Sequence, residues 1–183
     1  MSALLRPGER LLWSGRPDPA RHVTGKDAAL IPFSILWCGF AIFWEASVLT
    51  TGAPLAMALF GIPFVLIGLY FVAGRFLVKA RSKKRTRYAV TDRRALIVRD
   101  GGNVRDTPVA GQSLSVNRSA NGRYAGVTIG QASTGFPFGG LAVWENTGMD
   151  LFAGNTSFSF VDVAEPDAML RALEHSASAA PRP

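Results

Sequence analysis

Over the first eighty residues the polar and apolar positions fall into blocks, not stripes. Residues 28–44 (AALIPFSILWCGFAIFW) carry no charge, and neither do residues 53–74 (APLAMALFGIPFVLIGLYFVAG). At 1.5 Å rise per residue, the second run would form a helix roughly 33 Å long, about the thickness of a bilayer's hydrocarbon core. It has no polar face, which separates it from the buried core helix of a globular fold. The first run is near the lower length limit for a span, and Trp44 with Glu45 is placed to sit at the interface. Residues 45–53 (EASVLTTGA) read as a short polar turn, so the pattern predicts a helical hairpin through a membrane. Pro32 is expected in the first turn of its helix, where no hydrogen bond is lost. Pro63 is compatible with a kinked span. A cleaved signal peptide would have a shorter apolar core and a shorter basic lead.

From Arg87 onward the period changes to two. Residues 87–91 (RYAVT), 95–99 (ALIVR), 104–109 (VRDTPV) and 113–118 (SLSVNR) read as short strands. The cluster Asp100-Gly101-Gly102-Asn103 is a hairpin signal, and residues 119–122 (SANG) form another turn. In residues 123–130 (RYAGVTIG) the set Ala125, Val127, Ile129 is expected to point inward. Residues 158–163 (FSFVDV) set Phe158, Phe160 and Asp162 against Ser159, Val161 and Val163. Residues 165–176 (EPDAMLRALEHS) differ: Pro166 and Asp167 suit a helix's first turn, and Met169, Leu170 and Leu173 recur at helical spacing. This predicts one amphipathic helix of about ten residues that plugs an open end of the sheet. Residues 131–149, rich in Gly and Phe, read as a loop folded onto the core, a loop dipping into the membrane surface or a partner-binding loop.

Charge refines the picture. The net charge of +7 invites a nucleic-acid reading, but its distribution argues against one. Residues 75–87 hold Arg75, Lys79, Arg81, Lys83, Lys84, Arg85 and Arg87 with no acid, while residues 88–183 balance eight arginines against nine acids. Basic residues flank both apolar runs (Arg6, Arg10, Arg16, Arg21 and Lys26 before the first), and the hairpin turn has none. The positive-inside rule then puts both termini in the cytoplasm of a multi-pass cell-membrane protein, with the basic segment on the anionic inner leaflet. Cys38 is the only cysteine and cannot form an internal disulfide. The triplets at Asn117 and Asn155 match glycosylation acceptors, which mean nothing on a cytoplasmic face.

The order of segments carries a resemblance. Gly8-Glu9 with Arg16-Pro17, then a two-helix hairpin, then Tyr88 with Thr91-Asp92-Arg93-Arg94, and last residues 162–173, resembles the membrane-anchored bacterial PH-like (pleckstrin-homology) domain proteins. The resemblance covers nearly the whole chain. It implies a bent antiparallel sheet closed at one end by a C-terminal helix. The fold class expected is therefore α+β: a transmembrane hairpin plus a PH-like antiparallel sandwich or barrel capped by a helix. The division expected is 1–26 as first strand of the β domain, 27–78 as hairpin, 79–176 as cytoplasmic PH-like domain, and 177–183 as disordered tail. Asp92 is expected to close the tight turn by accepting backbone N–H groups two or so residues on. Arg93 and Arg94 read either as solvated turn residues or as contacts to lipid phosphates. Trp13 packs on the sheet or sits at headgroup level.

Catalysis has no visible carrier. His22 and His175 lack Cys or His neighbours at ligand spacing, and there is no phosphate-binding loop, dinucleotide fingerprint or nucleophile elbow. We expect no catalytic residues, no metal and no cofactor. Two functions remain: a non-catalytic scaffold that docks a protein or assembles with itself at the membrane, and a module responsive to anionic lipid through its basic segment. Near-neutrality of residues 88–183 favours the first. The expected lipid-surface residues are Arg75, Lys79, Arg81, Lys83, Lys84, Arg85, Arg87, Arg93 and Arg94. The expected partners are membrane lipids and a protein or second copy, not nucleic acid.

Overall fold

The computed structural model describes residues 4–21, 23–131 and 157–179. Strand β1 (Leu11–Gly15) leads to helix α1 (Gly25–Thr50). A second long helix follows as α2 (Leu55–Leu69), a π-helical turn (Tyr70–Gly74) and α3 (Arg75–Lys84). Then come β2 (Thr86–Thr91), β3 (Arg94–Arg99), β4 (Asn103–Pro108), β5 (Leu114–Arg118), β6 (Tyr124–Ile129), β7 (Phe158–Ala164) and α4 (Asp167–Ser178). The Gly/Phe-rich stretch, apart from Gln131, lies outside the described residues.

The two long helices are antiparallel neighbours. Both are long and apolar enough to cross a membrane, over Leu30–Thr50 and Leu55–Lys84. Their apolar side chains are largely exposed: Leu36, Phe43 and Leu55 are each more than 70 % accessible. A helix in the core of a water-soluble protein would bury such residues. Close approach is made by small residues, since a Cβ on Gly68 would lie 3.0 Å from the Cys38 Cα.

Helix α1 departs from expectation at both ends. It begins at Gly25, where the Asp27 carboxylate reaches back to the Thr24 N–H (2.7 Å) and hydroxyl (2.8 Å) as in a capping box. Pro32 therefore lies inside the helix, two turns on, and not in its first turn. The helix also continues through Glu45 to Thr50, so the turn is only residues 51–54. The hydroxyls of Ser47, Thr50 and Thr51 donate to carbonyls four residues back, which lets polar side chains remain helical. The hairpin closes with Gly52 at φ +66°.

Among the described residues all strand pairs are antiparallel, in a four-stranded sheet ordered β1-β2-β3-β4 and a three-stranded sheet ordered β5-β6-β7. Among the described residues the sheets are not closed into a barrel. An isolated bridge, Pro17 to Val163, joins the β1 and β7 ends. Strand β1 comes before the two long helices in sequence yet pairs with β2, which comes after them. One core draws on both sheets and α4: Tyr88, Val90, Ile97, Val127, Phe160, Met169 and Leu173 are among its buried members. Tyr88 stacks on Phe160 with ring centroids 4.6 Å apart, and Trp13 covers the same ring at 6.2 Å. Glycine at position 15 leaves room for the Trp13 indole, which a Cβ there would displace.

Alternation holds in β6, where Ala125, Val127 and Ile129 are buried as expected. It breaks in β7. Val127 pairs with Phe160 but Ala125 pairs with Val163, so one extra residue is inserted. The bulge turns Val163 into the core and leaves Asp162 buried at φ +50°. Helix α4 runs through Ser178, with Pro166 capping it, so Ala177 and Ser178, expected in a disordered tail, are helical.

Candidate membrane-facing and junction site

The basic segment divides by helical geometry. Arg75, Lys79 and Lys83 are four residues apart and share one face of α3, and all three are buried. Arg81, Lys84 and Arg85 are exposed on other faces, and Arg87 is exposed on β2. The π turn before Arg75 sets this phase, since one inserted residue rotates a helix by about 100°.

The buried face carries two carboxylate centres. Asp27, fully buried, accepts Arg75 Nη1 at 3.1 Å and Lys79 Nζ at 2.9 Å. With the two Thr24 donors its oxygens take four hydrogen bonds. Asp162 takes Lys83 Nζ at 2.5 Å and Arg21 Nη1 at 2.9 Å, and Lys83 also donates to the Arg21 carbonyl at 2.6 Å. The first centre ties the beginning of α1 to α3. The second ties α3 and the strand-to-helix linker to the bulge of β7. Buried charges persist only when paired and hydrogen-bonded in this way. Arg75, Lys79 and Lys83 thus differ from the expected lipid-surface residues: their charges are spent inside the protein.

Arg94 is also engaged. Its Nε and Nη2 donate to Glu9 at 2.8 and 2.9 Å, and Nη1 donates to Asp106 at 2.7 Å. Glu9 also accepts the Thr91 hydroxyl (2.8 Å) and the Arg6 N–H (2.7 Å). The Arg94 guanidinium, aided by those donors, holds the Glu9 carboxyl down at about 2 against burial, which opposes the shift. The same pairing raises Arg94 above its ordinary range. Asp92 does not close the turn as expected. Thr91 does, its Oγ1 accepting the Arg93 and Arg94 N–H groups at 3.3 and 3.0 Å. Asp92 Oδ1 accepts the Arg10 N–H instead, tying the N-terminal segment to the turn. Arg93 stays exposed.

Of the nine expected residues, then, Arg81, Lys84, Arg85, Arg87 and Arg93 are exposed, and four serve internal contacts. Asp27, Asp162, Glu9 and Arg21 were missed as their partners. A signal for the first existed: Asp27 is the last charge before the apolar run, and the 75/79/83 spacing already places three cations on one face. No local signal marks Asp162, because its position depends on the bulge. Among the described residues no group of three or more His, Cys, Asp and Glu side chains could hold a metal ion. Comparison with known proteins finds no matching family model, no similar curated protein and no similar solved structure.

Proposed function

We propose that this chain is a non-catalytic integral membrane protein that presents a cytoplasmic PH-like β domain, as a docking or self-assembly module, in a fixed orientation at the membrane. The observation that carries the reading is the buried junction. Asp27 and Asp162 fasten α3 to the start of α1 and to β7, while β1, ahead of the hairpin, is paired with β2 behind it. A domain joined through strand pairing and buried ion pairs cannot swing freely on a linker, which suits a surface that must meet its partner at a set height and angle. The PH-like assignment is supported by the four-plus-three strand arrangement followed by a C-terminal helix. Fold alone fixes no ligand.

The docking face is drawn from the outer strands. Among the described residues β4 and β5 each have one edge without a paired strand, and Val104 and Val116 are exposed on them. Such edges accept an added strand. Photo-crosslinking amino acids at positions 104 and 116 in intact membranes test this. A discrete adduct with a protein or a second copy is expected, and lipid adducts alone would overturn docking. Reporter fusions at Thr51 and at the C-terminus test the topology. Both termini are expected in the cytoplasm, and an exported reporter active at the C-terminus would overturn it.

A second reading keeps one favourable observation. Arg81, Lys84, Arg85 and Arg87 are exposed just beyond the apolar span. Each basic residue near an anionic surface contributes about 1 kcal/mol, decaying within a Debye length. Two spans already hold the chain effectively irreversibly, so these charges would tune orientation and not residence.

A further inference from the structure

The hairpin holds one charge that neither reading uses. Glu45 is the only charged residue between Asp27 and Arg75. It lies inside the stretch of α1 long enough to cross a membrane, Leu30–Thr50, roughly 7.5 Å from the helix end at 1.5 Å per residue. Its carboxylate packs on the facing helix at Gly61, where a Cβ would collide with Oε2 and with the Trp44 ring. Oε2 is buried there and has no hydrogen-bond partner. An ionised carboxylate out of water needs a counter-charge, and ionisable groups at such depth mark binding sites and ion paths. The hairpin has none to give. The first cation beyond Gly61 is Arg75, roughly 21 Å farther along the helix and already paired with Asp27. A second copy would bring another carboxylate to this level, not a cation.

Beside the carboxylate the hairpin is aromatic. Trp37, Phe40, Ala41 and Trp44 recur three and four residues apart, so they share one face of α1, and Phe60 and Phe64 meet them from α2 around a groove of about 270 Å³. Buried Ala41 forms its floor. The rings adjoin: centroids are 6.4 Å apart for Trp44 and Phe60, 5.2 Å for Phe60 and Phe64, and 6.5 Å for Trp37 and Phe64. Because the Trp44 ring and the Glu45 carboxylate crowd the same point over Gly61, the negative charge stands against the groove wall. Aromatic faces attract cations, most strongly where water is excluded. Lipid chains would suffice for a groove of rings alone; the unpartnered carboxylate beside it selects a positive charge.

We infer that this groove binds a compact organic cation with apolar substituents, of the quaternary or aryl ammonium class. Glu45 supplies the counter-charge, and Trp37, Trp44, Phe60 and Phe64 hold the apolar groups. The volume falls just below that of drug-sized sites, which restricts the ligand to about one ring with short alkyl groups. The depth of Glu45 favours a free cation over the ammonium of a phosphatidylcholine, whose phosphate would have to descend with it. Only the ligand's route, through the lipid, rests on the membrane placement proposed above.

Calorimetric titration of the full-length chain in maltoside micelles with benzyltrimethylammonium tests the site. Saturable binding of one cation per chain is expected. Glu45→Gln keeps the shape, removes the charge and should raise Kd at least tenfold, as loss of one partner of a desolvated charge pair does. It takes away an unpartnered buried charge, so folding, read by near-ultraviolet circular dichroism, should be preserved. Phe64→Leu keeps the bulk, loses the ring and should raise Kd about threefold. Glu174→Gln, at an exposed position on α4, should leave it unchanged. Absence of saturable binding overturns the proposal. So does affinity that survives Glu45→Gln, or that falls as far in Glu174→Gln, which would mark general attraction to acids. Competition by added phosphatidylcholine but not by phosphatidylglycerol would place a lipid headgroup in the groove and overturn the free cation. If carbonate washing strips the chain from membranes, the membrane placement fails, while titration in micelles still reads the groove.

Discussion

Replacing Glu9 by Gln separates the internal role of Arg94 from a role at lipid phosphates. In the folded chain the Glu9 carboxyl is lowered from 4.5 to about 2, chiefly by Arg94 and then by the Arg6 N–H and the Thr91 hydroxyl. At about 1.4 kcal/mol for each pH unit between those values, the charged form is favoured by about 3 kcal/mol on folding. The folded value is the lower one. The stabilisation is therefore fully present above the unfolded value of 4.5 and fades as pH falls toward about 2. Gln keeps the shape and loses the charge. Glu9→Gln should cost about 3 kcal/mol at neutral pH and close to nothing near pH 2. Denaturant unfolding of the detergent-solubilised chain, followed by near-ultraviolet circular dichroism across that range, measures it. Subtracting the parent curve removes the other carboxylates, provided that they act independently of Glu9. A penalty of equal size at both ends of the range would refute the reasoning, since it would come from packing and not from charge. A chain of unchanged stability whose affinity for anionic lipid increases would instead mean that Glu9 merely restrains Arg94 from the membrane.

Two further predictions concern the junction and the hairpin. Asp27→Asn leaves Arg75 and Lys79 buried without a counter-charge, and should destabilise the protein by about 3–5 kcal/mol, read as faster hydrogen exchange at residues 24–30 and 75–80; unchanged exchange would mean that packing alone holds α1 to α3. Gly68→Val should force α1 and α2 apart, because the first added carbon already meets the Cys38 backbone at 3.0 Å; buried Cys38 should then react with maleimide in detergent, and a thiol as protected as in the parent would show that the helices do not pack through Gly68.

Several features were legible from local pattern alone. The hairpin was visible because uninterrupted apolar length is a property of the segment itself, whatever surrounds it. The turns at residues 100–103 and 119–122 were visible because Gly101, Gly102 and Gly122 adopt positive φ, which few other residues tolerate. The inward set of β6 and the amphipathic face of α4 followed from their periods of two and of about 3.6 residues. What the sequence alone could not supply was partnership. A run of seven cations reads as a membrane-facing tract because composition counts charges without their directions. Only the folded chain decides that Arg75, Lys79 and Lys83 turn inward to Asp27 and Asp162, because that depends on the phase set by the π turn and on a single-residue bulge in β7. The same holds for Arg94, whose carboxylate partner Glu9 is 85 residues away. Chain segments so distant meet only when strand register brings them together, and register is a property of the assembled sheet, not of either segment.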